Sequence, residues 1–223
     1  MKMQNVKIKT IAHATHDVLR IVTEKPDGFD FVPGQATELF VDKNDWRKEG
    51  RSFTFTCLPN DHDLEFIIKT YPEHNGVTNE LLKLKVGDGL IVNDVFGDIA
   101  YKGEGVFIAG GAGVTPFISI LRDLQAKCEL GSNKLIFANR TRKDIILEGE
   151  LSQLLGKNFI NILSDEEADG YAHGRITEDF IKKNHPQLNG YFYVCGPPPM
   201  MDAVVAQLTH LNVPKSSIVM EAF

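Results

Sequence analysis

Apolar residues recur at every second position along the first half of the chain. The runs VKIKTIAHATHDVLRIVTEK, TELFVDK, SFTFTCL and LEFIIKTY carry the two-residue period of half-buried strands. Glycine-, proline- and asparagine-bearing stretches, KPDGFDFVPG and LPNDHD, separate them as turns. VGDGLIVNDVFGDI adds more strand material, and only TNELLKLK, near position 80, reads as helix. Many short strands with one small helix predict an antiparallel Greek-key β-barrel.

The period changes between Tyr101 and Gly105. From there, buried strand-length runs (GVFIAG, KLIFANR, NFINILSD, YFYVCG, SSIVMEAF) alternate with helix-length ones (TPFISILRDLQAKC, EGELSQLLG, TEDFIKKN, PMMDAVVAQLTHLN). Strand–helix alternation means βαβ units and a parallel sheet with helices on both faces. The expected fold is a two-domain chain: a barrel over residues 1–102, then a five-stranded parallel α/β domain over 103–223.

Composition narrows the class. The 223 residues are 43% apolar and 24% charged, ordinary for a folded soluble protein. A net charge of −6 excludes general nucleic-acid binding, which needs a basic footprint. No apolar run reaches membrane-span length, and the start lacks a signal-peptide core. The three cysteines, Cys57, Cys128 and Cys195, are widely spaced. That argues against an iron–sulfur or zinc site built from them alone and fits a reducing cytoplasm.

Five segments carry candidate chemistry. In IAGGAGVTP a buried strand ends in glycines and a helix opens, so backbone N–H groups can face a phosphate at the carboxyl edge of the sheet. RSFT, Arg51 to Thr54, offers a guanidinium for a phosphate on a strand whose alternate residues share a face. NGVTNEL opens the barrel's helix, with Thr78 as the expected cap. CGPPPMM places a thiol at a strand's carboxyl end, and its prolines read as a rigid turn that no helix accommodates. EAF ends the last strand.

These segments, in this order, resemble the ferredoxin–NADP+ reductase family in its broad sense, in which a flavin-binding barrel precedes a nicotinamide-binding α/β domain. The resemblance spans nearly the whole chain. It implies a FAD-dependent NAD(P)H oxidoreductase, with FMN as the lesser alternative. Arg51 and Ser52 would hold flavin phosphate. Phe53 stands where the family's tyrosine stacks on the isoalloxazine, and it lacks the phenol hydroxyl. Thr54 would face the reactive flavin edge, and Ile67, Lys69 and Tyr71 would flank the flavin. Gly76, Val77 and Thr78 would contact phosphate, and Phe223 would cover the other flavin face. On the nicotinamide side, Gly111, Gly113 and Thr115 would take the pyrophosphate, with Gly196 and Pro197 beside Cys195. Thr54, Cys195 and Glu221 are the implied catalytic residues, shaping the hydride path and tuning protonation or coupling to the acceptor.

The choice of dinucleotide rests on the loops after the second and third parallel strands. The segment ANRTRKDIILEGEL resembles NADH-linked nitrate reductase flavin domains, and Asp165 stands where NADPH-preferring relatives carry arginine. A carboxylate accepts from a ribose diol and repels a 2′-phosphate. Arg140 and Arg175 point the other way, and NADH is the favoured co-substrate. Electrons would leave to a separate ferredoxin, flavodoxin or haem protein, steered by Lys43, Arg47, Lys48 and Arg51. A free-flavin reductase and an electron-transfer subunit of a multicomponent system are the alternatives, and a cytoplasmic monomer is expected.

Overall fold

A computed structural model describes residues 3–221. The chain divides into two compact units. One comprises the residues up to Ala100 together with Thr115–Asp123; the other comprises Tyr101–Val114 and the residues from Leu124 onward.

The first unit is a barrel of six strands: β1 (Gln4–Thr15), β2 (Val18–Glu24), β3 (Ala36–Val41), β4 (Arg51–Thr54), β5 (Asp63–Lys69) and, after helix α1 (Val77–Leu81), β6 (Gly89–Phe96). The spatial order is β4-β3-β6-β1-β2-β5, and every pairing is antiparallel. The sheet closes just past β4, where Phe55 bridges to Phe66 of β5 and the Thr56 amide donates to Glu65 O at 2.9 Å. Closure pairs the two edges and removes a template for aggregation.

Alternation decides what fills the barrel. On β5, Leu64, Phe66 and Ile68 join the core, and the intervening Glu65, Ile67 and Lys69 take the opposite face. Phe55 is the centre of the core. It stacks on Phe31 at 4.3 Å and meets Phe29 and Phe66 at 5.7 and 5.4 Å between ring centroids. Aromatic contacts of this kind add about 0.5–1.5 kcal/mol each beyond burial.

The second unit is built on β7 (Gly105–Gly110), β8 (Lys134–Asn139), α3 (Glu148–Leu155), β9 (Phe159–Leu163), β10 (Ala172–His173), α4 (Glu178–Asn184), β11 (Tyr191–Cys195), α5 (Pro198–His210) and β12 (Ile218–Val219); of α2 (Thr115–Ala126), between β7 and β8, only the residues from Leu124 belong to it. Its sheet is wholly parallel, in the order β10-β9-β8-β7-β11-β12. The five expected strands are present, but the last, β12, stops at Val219, short of Glu221. The sixth, β10, is a two-residue edge strand too short to show periodicity. β7 lies at the centre with every residue buried, which is why GVFIAG runs apolar without alternation. One face packs Val106, Ile108, Ile136, Phe192 and Val194 against Met201, Val204 and Leu208 of α5.

The triple proline departs from the sequence expectation. Pro197 is the N-cap of α5, and Pro198 and Pro199 lie inside its first turn. First-turn N–H groups have no intrahelical partner, so proline there gives up nothing, and its fixed φ is already helical. The Met200 and Met201 amides then close the turn on Pro197 O, at 2.9 and 3.1 Å. The cap of α1 also differs: Gly76 is the N-cap, without a side-chain capping bond, and Thr78 sits within the helix.

Candidate active site

The flavin-side candidates lie in the first unit. Arg51 and Ser52 are exposed on β4, and among the described residues the Arg51 guanidinium donates to the neighbouring Gly50 carbonyl, at 2.7 Å. Phe53 and Thr54 are half-buried, and Phe53 packs against the barrel core. α1 packs against β3, the strand paired with β4. Val77 is buried in the core cluster. On β5, Ile67 is buried, and Lys69 pairs with Asp17 at 2.9 Å. Tyr71 is exposed and stacks on His74.

The basic loop between β3 and β4 is less positive than its lysines and arginines suggest. Lys43 pairs with the buried Glu80 of α1 at 2.7 Å, and Arg47 pairs with Asp42 at 2.7 Å. Two of the four cations expected to steer a carrier therefore already have carboxylate partners.

In the second unit, the carboxyl edge of the sheet draws two segments together. β7 runs into a 3-10 turn, Gly111–Val114, and β11 ends at Cys195 in register with Ala109. A Cβ on Gly113 would lie 2.4 Å from the Cys195 carbonyl oxygen and 2.6 Å from the Gly196 Cα. The glycine turn and the CGPPP segment therefore touch backbone to backbone. Gly111 is a different case, with a left-handed φ of +51° and open space where its Cβ would be. The structure thus brings Gly111, Gly113, Cys195, Gly196 and Pro197 to one edge. Thr115 opens α2 directly after the turn and is buried.

Cys195 is a guarded thiol. Burial, and then the nearby Glu221 carboxylate, push it up to about 12. It is therefore neutral at any physiological pH. Phe223 lies outside the described residues.

Arg140 and Asp165 are exposed at the ends of β8 and β9, and the Asp165 amide donates to Arg140 O at 2.9 Å. Arg175 is exposed beyond β10. Beside Arg140 and Asp165 lies a cluster that sequence reasoning did not single out. The Arg142 guanidinium sits 5.1 Å over the Tyr171 ring, and the Tyr171 hydroxyl donates to Glu148. That bond, with burial, raises the Tyr171 phenol. Its only sequence signal is the juxtaposition of RTRKD and SDEEADGY, each just past a strand end.

Residues 107–206 match the family model described as the oxidoreductase NAD-binding domain. The chain is 32% identical, over 97% of its length, to the reductase component of propane 2-monooxygenase from Mycolicibacterium smegmatis. It is 30% identical, over 88% of its length, to NADH-cytochrome b5 reductase 2 of Mycosarcoma maydis. It spans 66% and 62% of those two relatives. Among solved structures, it superposes on the flavohem-like FAD/NAD binding domain of nitric oxide dioxygenase from Vibrio cholerae O1 biovar El Tor. The TM-score is 0.88 at 25% identity, covering 99% of this chain and 98% of that one. The chain belongs to the ferredoxin reductase-like family of FAD- and NAD(P)-binding flavoprotein oxidoreductases.

Proposed function

We propose that the chain is a FAD-dependent NADH reductase that hands electrons to a separate protein carrier, an iron–sulfur or haem protein. The observation that carries the reading is the backbone-close fit of Gly113 on Cys195 and Gly196. It leaves a glycine turn and a neutral thiol on the carboxyl edge of a parallel sheet, where such sheets take dinucleotides. The names of the relatives support the rest, since one is a reductase component and another an NADH-linked cytochrome reductase.

When bound, the cofactors supply hydride transfer from the nicotinamide C4 to the flavin N5. The residues of this chain bind and orient. Arg51 and Ser52, with the uncapped start of α1 at Gly76 to Thr78, hold the flavin phosphates. Phe53, backed by the barrel core, offers a ring face to the isoalloxazine. Thr54, Ile67, Lys69 and Tyr71 border it. Gly111, Gly113, Thr115, Gly196 and Pro197 hold the dinucleotide. Cys195 keeps an uncharged group beside the nicotinamide, and Glu221 helps to keep it so. Asp165 accepts from the adenosine ribose, beside Arg140. Three unpaired thiols, Cys57, Cys128 and Cys195, fit work in the cytoplasm, and no helix among the described residues is long and apolar enough to cross a membrane.

Trp46, the single tryptophan, packs on the barrel core and is a fluorescence probe in the unit that carries the flavin candidates. Titration with FAD is expected to quench its emission to a one-to-one endpoint, and the FAD should stay with the protein through gel filtration. Loss of the flavin on the column would favour a free-flavin reductase instead.

A further inference from the structure

We infer that Asp17 is a positioning residue for the flavin chemistry: it holds Lys69 and sets how much of that positive charge a bound flavin feels. This role rests on the reading above, in which the flavin lies along β4 and β5.

Backbone pairing brings Asp17 to the end of β5. Val18 opens β2 in register with Lys69, so the hairpin residue before it lies beside the exit of the strand. The Thr70 amide and hydroxyl both donate to Asp17 O, at 2.8 and 2.9 Å. With its main chain fixed, Asp17 meets Lys69 Nζ through Oδ2 at 2.9 Å. The Thr15 hydroxyl donates to Oδ1 at 3.0 Å, and His16 Nε2 lies 3.8 Å from Oδ2. The Lys69 and Asp17 side chains are 30% and 23% exposed, so the pair is largely shielded from solvent. Burial pushes the Asp17 carboxyl upward, but the bond to Lys69 and its charge outweigh this and hold it below the ordinary aspartate range.

Lys69 lies on the face of the barrel that carries flavin candidates. Phe55 bridges antiparallel to Phe66, and the Thr56 hydroxyl donates to the Glu65 carboxylate at 2.8 Å, so Thr56 and Glu65 share the outer face. Side chains alternate along a strand. Ser52 and Thr54 therefore fall on that face from β4, and Ile67 and Lys69 from β5, while Phe66 and Ile68 fill the core. Because the two segments run antiparallel, the path from Glu65 to Lys69 follows the path from Thr56 back to Ser52. A lone ammonium on this face would favour the reduced flavin, which carries negative charge at neutral pH. Paired with Asp17, it presents a dipole in place of a full charge, and at the low effective dielectric of a protein surface that difference is felt.

The test is a spectroscopic redox titration of the full FAD-loaded chain, of Asp17→Asn, of Lys69→Met and of the double variant. At the potential that half-reduces the wild-type flavin, the ratio of reduced to oxidised flavin should rise about threefold or more in D17N, where the ammonium stands alone. It should fall by a similar factor in K69M, where the carboxylate stands alone. In the double variant, which has neither charge, it should return close to the wild-type ratio. Asparagine keeps the shape of Asp17, and the Thr70 bonds run to its backbone; if D17N nevertheless does not fold, K69M alone decides. A ratio unchanged in the folded single variants, or moved the same way in both, would overturn the assignment, since a merely structural disturbance does not follow the sign of the charge removed. A wild-type chain that takes up no FAD would overturn the flavin reading itself, a separate outcome read from the parent protein.

Discussion

Replacing Arg122 with alanine is expected to destabilise the first unit by about 3–5 kcal/mol, the usual result of stranding a buried charge. Arg122 lies in the stretch of α2 that groups with the barrel, and its Nη1 donates to Glu65 Oε1 at 2.6 Å and to Thr56 O at 2.7 Å. Thr56 adds a hydroxyl bond to Glu65 at 2.8 Å, and Arg20 Nε adds another at 2.6 Å. The side chains of Arg122 and Glu65 are 18% and 8% exposed, whereas that of Arg20 is 50% exposed. Arg20→Ala should therefore cost no more than about 1 kcal/mol. Burial pushes the Glu65 carboxyl upward, but the Arg122 charge, with the bonds from Arg122, Thr56 and Arg20, more than reverses this and leaves it below the ordinary glutamate range. The stabilisation is then complete above the unfolded-state pKa and is lost as pH falls through the lower folded value. Urea unfolding at neutral and at strongly acidic pH checks both statements. The Arg122→Ala deficit should be large at neutral pH and shrink in acid. A deficit that does not depend on pH would mean that packing, not charge, is what the alanine removes.

Gly113→Ala should raise the KM for NADH about tenfold or more while leaving flavin content intact. The added Cβ would meet the Cys195 carbonyl at 2.4 Å, and backbone cannot rotate away as a side chain can. Overpacking of this order costs about 1–3 kcal/mol, and here it displaces the Cys195–Pro197 segment from the glycine turn. Gly156→Ala, at a glycine outside the dinucleotide set with a left-handed φ of +53°, is the matched control. It strains a left-handed φ, at a cost of about 1–2 kcal/mol, but meets no neighbour. Steady-state kinetics with thermal melts of both variants separate the two effects. An unchanged KM in Gly113→Ala would show that the fit of the two segments does not govern dinucleotide binding.

Local signals made much of this molecule readable from its sequence. GVFIAG announced a central parallel strand because a strand buried on both faces has no polar positions. Leu64, Phe66 and Ile68 announced a barrel wall by alternating with Glu65, Ile67 and Lys69. The misreadings also have local causes. Proline is a helix breaker only beyond the first turn, so Pro198 and Pro199 concealed a helix start. Thr78 looked like a cap, but the chain turned into helix at Gly76. Long-range pairing left no trace at all. Glu65 reads as an ordinary outward polar residue until α2 brings Arg122, 57 positions away, against it. Glu166 and Arg142 belong to loops 24 positions apart, and only strand order puts them together. Arg51, Cys195 and the glycine turn stand out in the sequence because each lies beside a strand end or turn whose own signal is strong.

The central claim is that one chain takes hydride from NADH onto a bound flavin. Anaerobic addition of NADH to the FAD-loaded protein tests it most directly. The oxidised flavin spectrum is expected to bleach with one equivalent of NADH, far faster than the same amount of NADH reduces free FAD. A flavin that stays oxidised under NADH, or bleaches no faster than free FAD, would contradict it.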